Sequence, residues 1–197
     1  MRFVALRRLK PGLQAAVLLA NSVALGAENV SIRTNYYAVT GATVDEIRAD
    51  LARKRPWKQE VDGFTGWKVD WSYRTEATQS ECRLQSFDVK TEVTITVPRW
   101  TPPADADAQT KRSWASYMNA LLAHEDGHKR IALAAANEVR SRLQQISSGA
   151  TCDALAARIK REATQAVEEF KRREKAYDDR TDHGRKEIAI KAPGRAP

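Results

Sequence analysis

The chain has 197 residues, a formal net charge of +8 and a sequence pI of about 9.7. Four positive charges lie in the first 27 residues, at Arg2, Arg7, Arg8 and Lys10, and no acidic residue balances them there, so the rest of the chain carries only +4. About 170 residues remain beyond that segment, enough for one domain with a sizeable core and too few for two. The modest remaining charge argues against nucleic acid as a partner.

The N-terminal segment, residues 1–27, has the layout of a secretory signal peptide. Its basic start is followed by an apolar stretch from about Leu13 to Leu25, and it closes on the small residues Gly26 and Ala27. The apolar stretch is shorter than the ~20 residues of an ordinary membrane span. We therefore predict export to the periplasm or out of the cell, with no stable membrane insertion after the signal is removed.

The first elements after the signal are a strand and a helix. Residues 31–40 predict a strand, and Gly41 then begins a turn. Thr43 and Glu46 form the sequence signature of a capping box at a helix start. The helix is expected to end before Pro56, because a proline disfavours the helical conformation in the residue before it.

Residues 63–97 predict antiparallel strands. Residues of high strand propensity alternate with polar ones in two runs, which are Trp67, Val69, Trp71 and Tyr73, and then Val89, Thr91, Val93, Ile95 and Val97. We expect Pro98, Pro102 and Pro103 to break the chain before the next helix.

The motif HEDGH, residues 124–128, lies within a second predicted helix. Apolar residues recur at helical spacing on both sides of it: upstream Trp114, Tyr117, Met118, Leu121 and Leu122, and downstream Ile131, Ala135, Val139, Leu143 and Ile146. His124 and His128 are four residues apart, so both imidazoles project inward from one face. Gly127 interrupts the helix interior, where glycine costs ~1 kcal/mol relative to alanine. We interpret it as a point where another segment approaches closely.

This motif indicates a catalytic zinc site. Zinc binds imidazole nitrogen readily, and its catalytic sites supply three protein ligands and leave a fourth position for water. In HExxH enzymes the glutamate, here Glu125, is the general base that takes a proton from the water as it attacks a polarised carbonyl. The alternative is a helix in which His124 and His128 are satisfied by neighbouring polar groups.

A last helix is predicted from about Asp153 to Tyr177. Its buried stripe consists of Leu155, Ile159, Ala163, Ala166, Val167 and Phe170. His183, in a turn-like stretch after this helix, is the first candidate for the third zinc ligand. A glutamate on the helix is the alternative, and the candidates are Glu162, Glu168 and Glu169.

The end of this helix offers one further candidate and a domain boundary. Tyr177, six residues before His183, could swing towards the metal and stabilise an oxyanion; the alternative is a tyrosine that caps the core. Residues 186–197 are rich in proline, glycine and charge, which predicts a disordered tail. The folded domain is therefore expected to span residues 28–185.

The chain has two cysteines, Cys82 and Cys152. In an exported protein a disulfide between them is the simplest use, and closing a loop of about 70 residues stabilises the fold by ~4 kcal/mol in the chain-entropy model. A zinc–thiolate role is the alternative, but neither cysteine has a CxxC partner.

The ordered set of motifs resembles a known family. Four of them occur in sequence: NYYAVTG, VPRW, HEDGH and TDHG. They are similar to those of the bacterial domain of unknown function 922 family, described as predicted secreted zinc-dependent proteases, and the resemblance covers about residues 35–184. It implies a zincin-like fold with His124, Glu125 and His128 at the site, and with His183 as the third ligand.

Residue patterns and resemblance together predict an α+β, zincin-like fold, in which a small antiparallel sheet packs on the HEDGH helix and a following C-terminal helix. The predicted function is a secreted or periplasmic zinc metallopeptidase that binds one zinc ion and takes peptide or protein substrates. Two alternatives remain: a catalytically silent envelope protein that binds or scaffolds a partner, and a zinc hydrolase of a non-peptide substrate. Glu125 favours an enzyme, because a binding module has no need of a general base beside its ligands.

Overall fold

The computed structural model describes residues 29–188, so the predicted signal peptide and residues 189–197 of the predicted tail lie outside the described residues. Within this range no helix is both long and apolar enough to cross a membrane. The α+β class expected from the sequence is confirmed. In chain order the elements are β1 (Asn29–Val39), α1 (Val44–Lys54), β2 (Phe64–Ala77), β3 (Cys82–Trp100), α2 (Ala108–Gln144), β4 (Ser148–Gly149), α3 (Cys152–Thr181) and α4 (Arg185–Ile188).

The sheet is mixed rather than antiparallel throughout. Its strands lie in the order β1-β3-β2, and the short β4 pairs with the start of β3. β2 and β3 form the predicted antiparallel pair, whereas β1 runs parallel to β3, so the prediction of an antiparallel sheet is wrong for β1. The chain reverses through α1 and again between β2 and β3, which returns β3 to the direction of β1. Side chains alternate in both kinds of pair, so the sequence pattern does not encode strand direction.

β3 also continues further than predicted. The expectation that Pro98 breaks the chain is wrong, because the strand runs on to Trp100. β2 begins at Phe64, opposite Thr96, and does not reach Pro98, so β1 alone flanks β3 there. A proline is tolerated in a strand where its missing N–H would face no partner.

α1 begins as the sequence predicts. The Thr43 hydroxyl accepts a hydrogen bond from the Glu46 N–H, and the Glu46 carboxylate accepts one from the Thr43 N–H, which confirms the capping box. The helix ends at Lys54, before Pro56.

Two hydrophobic clusters hold the elements together. The larger joins the β2–β3 hairpin to α2 and α3, and includes Val69, Phe87, Val89, Val139, Leu143, Leu155, Ile159 and Phe170. The smaller joins α1 to the ends of β1 and β3 and to the start of α2, and includes Val39, Ile47, Leu51, Val97, Trp100, Tyr117 and Leu121. α2 contributes its first half to the smaller cluster and its second half to the larger. The HEDGH motif lies between these two anchored halves.

A disulfide joins the sheet to the last long helix. Cys82 is the first residue of β3 and Cys152 the first of α3, and their Cα atoms lie 5.0 Å apart. The predicted pairing is confirmed. Because the two residues are 70 positions apart in sequence, the bond fixes the start of α3 against the sheet.

Candidate metal centre

The middle of α2 directs three side chains into the interior. His124, Glu125 and His128 are only 4%, 2% and 7% exposed. The two histidines are one turn apart, and their Nε2 atoms lie 3.2 Å from each other. Both ring nitrogens therefore face the same small space, as their spacing predicts.

Asp178, near the end of α3, completes a group of three possible ligand atoms. Its Oδ1 lies 3.1 Å from His128 Nε2 and 3.6 Å from His124 Nε2. A tetrahedral zinc ion with bonds of ~2.0–2.1 Å needs ligand atoms ~3.3 Å apart. The triangle therefore fits a metal ion, and this is the cluster of ligand side chains that the described residues 29–188 bring together at such distances.

Asp178 is not among the ligands predicted from sequence, because the last helix is expected to end near Tyr177. α3 continues to Thr181 and so keeps Asp178 in register with its buried stripe. The available signal was the pair Glu174 and Asp178, two carboxylates four residues apart that continue the face of Phe170.

The three glutamates considered as alternative ligands lie away from the metal centre. Glu162 pairs with Arg161, and Glu169 pairs with Arg142 and Arg173. Glu168 is exposed. The partners of Glu162 and Glu169 are guanidinium groups rather than imidazoles.

His183 stands at the edge of the site, on a turn that is strained but well anchored. Asp182 and His183 both have positive φ angles, 52° and 51°, a region that non-glycine residues rarely adopt. The His183 N–H donates to the Asp178 carbonyl over 2.9 Å, which holds the turn against α3. The ring is 47% exposed, and its Nδ1 lies 3.6 Å from Asp178 Oδ1. The structure thus brings His183 close to the three clustered residues, and its role as a ligand stays a prediction.

Glu125 points towards the start of β2. The Thr65 hydroxyl donates to Glu125 Oε2 over 2.6 Å. A Cβ at Gly63 would lie 2.4 Å from Glu125 Oε1, so only a glycine leaves room for the second carboxylate oxygen. Burial raises the pKa of Glu125 and the nearby Asp178 adds to the rise, although Thr65 and His128 oppose it.

Tyr177 packs directly on the metal centre from α3. Its ring stacks on the His124 ring at 5.0 Å between centroids, and its hydroxyl donates to the His124 carbonyl over 3.2 Å. A Cβ at Gly127 would lie 2.3 Å from the Tyr177 hydroxyl oxygen, which confirms the predicted close approach at this glycine. These contacts favour a packing role for Tyr177, and its catalytic role stays a prediction.

A second carboxylate on α3 faces the other side of His128. Glu174 Oε1 lies 3.7 Å from His128 Nδ1 and accepts a hydrogen bond from Trp67 Nε1 over 2.6 Å. Burial opposes the charge of Glu174, but its contacts with His128, Lys171 and Trp67 outweigh burial and lower its pKa. The pKa of His128 is raised, because Glu174, Asp178 and Glu125 outweigh the burial of its ring.

These residues line a cleft of about 860 Å³. One wall is the start of β2 with the loop before it, residues 59–67, and the other is the end of α3 with the turn that carries His183. His124, Glu125 and His128 line it from α2. The candidate ligands and the candidate base therefore meet in one solvent-accessible space large enough for several residues of a substrate.

A comparison with protein families finds one match. The model of a family described as bacterial protein of unknown function, DUF922, matches residues 34–184. This range contains every residue of the metal centre, and it confirms the resemblance drawn from the motifs. No curated protein and no solved structure matches the chain.

Proposed function

Because this chain belongs to the DUF922 family of bacterial proteins, whose function is unknown, and because the matched residues contain the whole candidate site, we propose that it is a metal-dependent hydrolase. The observation that carries the proposal is the triangle of His124 Nε2, His128 Nε2 and Asp178 Oδ1, with buried Glu125 beside it. A purely structural metal site has no use for a further carboxylate that is not one of its ligands.

Zinc is the proposed metal. Two imidazole nitrogens and one carboxylate oxygen form a donor set that catalytic zinc sites use, with one position left for water. Bound there, zinc would polarise a substrate carbonyl and lower the pKa of water towards ~7.

Glu125 is the proposed general base. Its burial raises its pKa, which moves a carboxylate nearer to the operating range of a general base. Thr65 holds Oε2, and Oε1 lies in the space that Gly63 leaves open. Oε1 is therefore the atom we assign to take a proton from the attacking water and return it to the leaving group.

An extended peptide is the proposed substrate. β2 is an edge strand of the sheet, and its residues from Phe64 to Trp67 line the cleft. The outward N–H and C=O groups of an edge strand can pair with an added strand. Phe64 is 51% exposed beside the cleft and offers apolar surface for a substrate side chain.

His183 has a proposed role on the open side of the metal. Asp178 supplies a third ligand atom, and a catalytic site keeps a further position accessible. His183 lines the same cleft, and its backbone is fixed to α3. We propose that its ring either joins the ligands, as the sequence predicts, or donates to the substrate oxygen, and metal binding distinguishes the two.

The proposed compartment is outside the cytoplasm. Its support is the signal-like sequence of residues 1–27 together with the disulfide between Cys82 and Cys152. Disulfides persist in oxidising compartments such as the periplasm.

The first experiment is the metal content of the protein purified after export, by mass spectrometry of the elements. We expect about one zinc per chain in the parent and in Glu125→Gln, and loss of most zinc in His124→Ala and Asp178→Asn. Asp179→Asn, at the next position of the same helix, is the matched control and should keep its zinc. A parent without metal after growth in zinc would end the proposal.

His183→Ala divides the two roles of that residue. Loss of zinc in this variant makes His183 a ligand. Retained zinc with lower turnover places it on the substrate side.

The second experiment is hydrolysis of an unfolded protein substrate, reduced and carboxymethylated casein, with the cleavage sites read by mass spectrometry. We expect cleavage by the zinc-loaded parent and none by Glu125→Gln. Zinc binding without cleavage would favour the binding or scaffold alternative, or a non-peptide substrate.

A further inference from the structure

We propose that strand β2 positions two separate groups of the metal centre from one of its faces. Thr65 positions the carboxylate of Glu125, and Trp67, through Glu174, positions the imidazole of His128. The inference rests on the proposed function where it concerns turnover, and it stands on metal binding alone where it concerns His128.

The alternation of side chains along a strand explains how β2 can position both Glu125 and His128. Alternate residues of a strand lie on the same face, so Thr65 and Trp67 lie on the side of β2 that faces the helices, and Gly63, just before the strand begins at Phe64, continues that spacing. Gly63 and Thr65 are buried, and Trp67 is partly buried against the larger hydrophobic cluster. Residues 63–67 all line the cleft. Two consecutive inward positions of β2, with Gly63 immediately before the strand, therefore meet the site.

The first contact determines where the base points. Thr65 is 5% exposed, and its hydroxyl donates to Glu125 Oε2 over 2.6 Å. A carboxylate without such a donor can rotate about its side-chain torsions. With Oε2 fixed, Oε1 is directed to the glycine side of the cleft, where Gly63 leaves the space that a Cβ would fill.

The second contact acts through a carboxylate. Trp67 Nε1 donates to Glu174 Oε1 over 2.6 Å, and the same oxygen lies 3.7 Å from His128 Nδ1. Lys171 approaches both groups, with Nζ 3.0 Å from Glu174 Oε2 and 3.6 Å from the centre of the Trp67 ring. Glu174 is thus held from two sides and presents one oxygen to His128.

A carboxylate that faces His128 Nδ1 affects metal binding, because the other ring nitrogen, Nε2, is the candidate ligand. A metal-binding histidine donates its other N–H to a carboxylate or carbonyl, which fixes the tautomer and the ring orientation. His128 Nε2 is one corner of the ligand triangle, and Glu174 Oε1 is the carboxylate oxygen that faces its buried Nδ1, across 3.7 Å. This separation exceeds hydrogen-bond length, so the bond that would hold the ring when the metal binds is part of the proposal. Glu174 is therefore a positioning residue for a ligand, and Trp67 positions Glu174.

Zinc affinity tests the second contact, by competition with a chromophoric chelator on the exported protein. Glu174→Gln should bind zinc about tenfold to a hundredfold more weakly, and Trp67→Phe should show a smaller loss in the same direction. Trp71→Phe is the matched control, because Trp71 is the inward tryptophan four residues further along β2 and packs on the same core. Its zinc affinity should equal that of the parent.

The outcomes separate this inference from the proposed function. If the parent binds no zinc, the proposed metal centre fails and the inference fails with it. If the parent binds zinc and Glu174→Gln binds it equally well, this part of the inference alone is overturned. Thermal unfolding of each variant shows whether a loss of affinity reflects a loss of fold.

Turnover and rescue test the first contact. Thr65→Val removes the hydroxyl at nearly constant shape, and it should lower kcat about tenfold or more while zinc affinity stays unchanged. Thr65→Ser restores the hydroxyl and should restore most of kcat. Full turnover in Thr65→Val, or a serine variant no better than the valine variant, would overturn the assignment.

One measurement on Thr65 is independent of activity. If its hydroxyl holds Glu125, Thr65→Val and Glu125→Gln should be non-additive in their shifts of the unfolding midpoint, as two residues in contact are. Additive shifts would contradict the contact between Thr65 and Glu125, whether or not a substrate is found.

Discussion

At the scale of single residues, Gly127 shows that a position unfavourable to the helix can serve the site. Glycine is a poor helix residue, but a Cβ here would lie 2.3 Å from the hydroxyl oxygen of Tyr177 and 2.5 Å from its Cζ. The ring of Tyr177 in turn stacks on His124. The space left by Gly127 is therefore what allows α3 to approach the two histidines closely.

We predict that Gly127→Ala destabilises the protein despite the higher helix propensity of alanine. The overlap with Tyr177 should outweigh the ~1 kcal/mol that the helix gains and should displace α3, so zinc affinity should fall as well. Urea unfolding and zinc titration measure the two effects. In a Tyr177→Ala background the same change should be neutral or stabilising; equal destabilisation in both backgrounds would contradict the steric explanation.

Two buried threonines lead to opposite predictions. The Thr91 hydroxyl is fully buried and has no hydrogen-bond partner within residues 29–188, whereas the Thr65 hydroxyl donates to Glu125. Thr91→Val removes an unsatisfied polar atom and should raise the free energy of unfolding by ~1 kcal/mol. Thr65→Val leaves a buried carboxylate without its donor and should lower it. Denaturant unfolding of both variants checks the contrast, and a loss of stability in Thr91→Val would contradict it.

The residues of the site differ in how far sequence could predict them. His124, Glu125 and His128 follow from spacing on a helix, because four residues make about one turn. Asp178 follows only if the last helix is extended past Tyr177, because its one signal is its spacing from Glu174 and Phe170 on that helix. Thr65 and Glu174 depend on contacts between elements far apart in sequence, which a local pattern cannot contain.

At the scale of secondary-structure elements, Asp50 ties α1 to the end of β1. Asp50 is 1% exposed, and its carboxylate accepts hydrogen bonds from the Thr40 N–H and hydroxyl, with Arg53 and Lys54 as charged partners. Burial alone would raise the pKa of Asp50, but the bonds from Lys54 and Thr40 outweigh it and lower the pKa from 3.8 to about 2.

The lowered pKa of Asp50 predicts that the folded protein loses stability as the pH falls. The folded-state pKa of Asp50 lies below its ordinary value of 3.8, so its contribution to stability is present above about pH 4 and is lost as the pH falls towards 2. Asp50→Asn should be less stable than the parent at pH 7, and the difference should narrow across that window. Urea unfolding at several pH values measures it. A difference that stays constant from pH 7 to pH 2.5 would contradict the assignment to Asp50.

Most of the secondary-structure elements could be predicted from the sequence. Two errors, the direction of β1 and the expected break at Pro98, have physical causes. The capping box at Thr43 and Glu46 fixes the start of α1, and the apolar stripe around HEDGH identifies α2. The direction of β1 was not predictable, because it depends on the path of the chain rather than on side-chain alternation. β3 can continue through Pro98 because β2 does not reach that position. This depends on the register between the two strands, which the local sequence does not show.

At the scale of the whole molecule, the sheet has two edges with different surroundings. β1 and β2 are the outer strands, and both expose apolar side chains, Ile32 by 47% and Phe64 by 51%. Only β2 borders the cleft, and its inward face contacts Glu125 and Glu174. β2 therefore provides both the proposed substrate-binding edge and the contacts that position Glu125 and Glu174.

We predict that a bound peptide protects the start of β2 from hydrogen exchange. Zinc-loaded Glu125→Gln, which should bind substrate without cleaving it, is mixed with reduced and carboxymethylated casein and compared with the same sample without casein. Backbone amides of Phe64 to Trp67 should exchange more slowly, because an added strand pairs with the free edge. β1 is the internal control, since it is an edge strand of the same sheet that does not line the cleft. Equal protection of both edges would indicate general strand pairing with unfolded protein. Protection of neither would remove β2 as the substrate edge while leaving the metal centre intact, because the ligand triangle is formed by α2 and α3 alone.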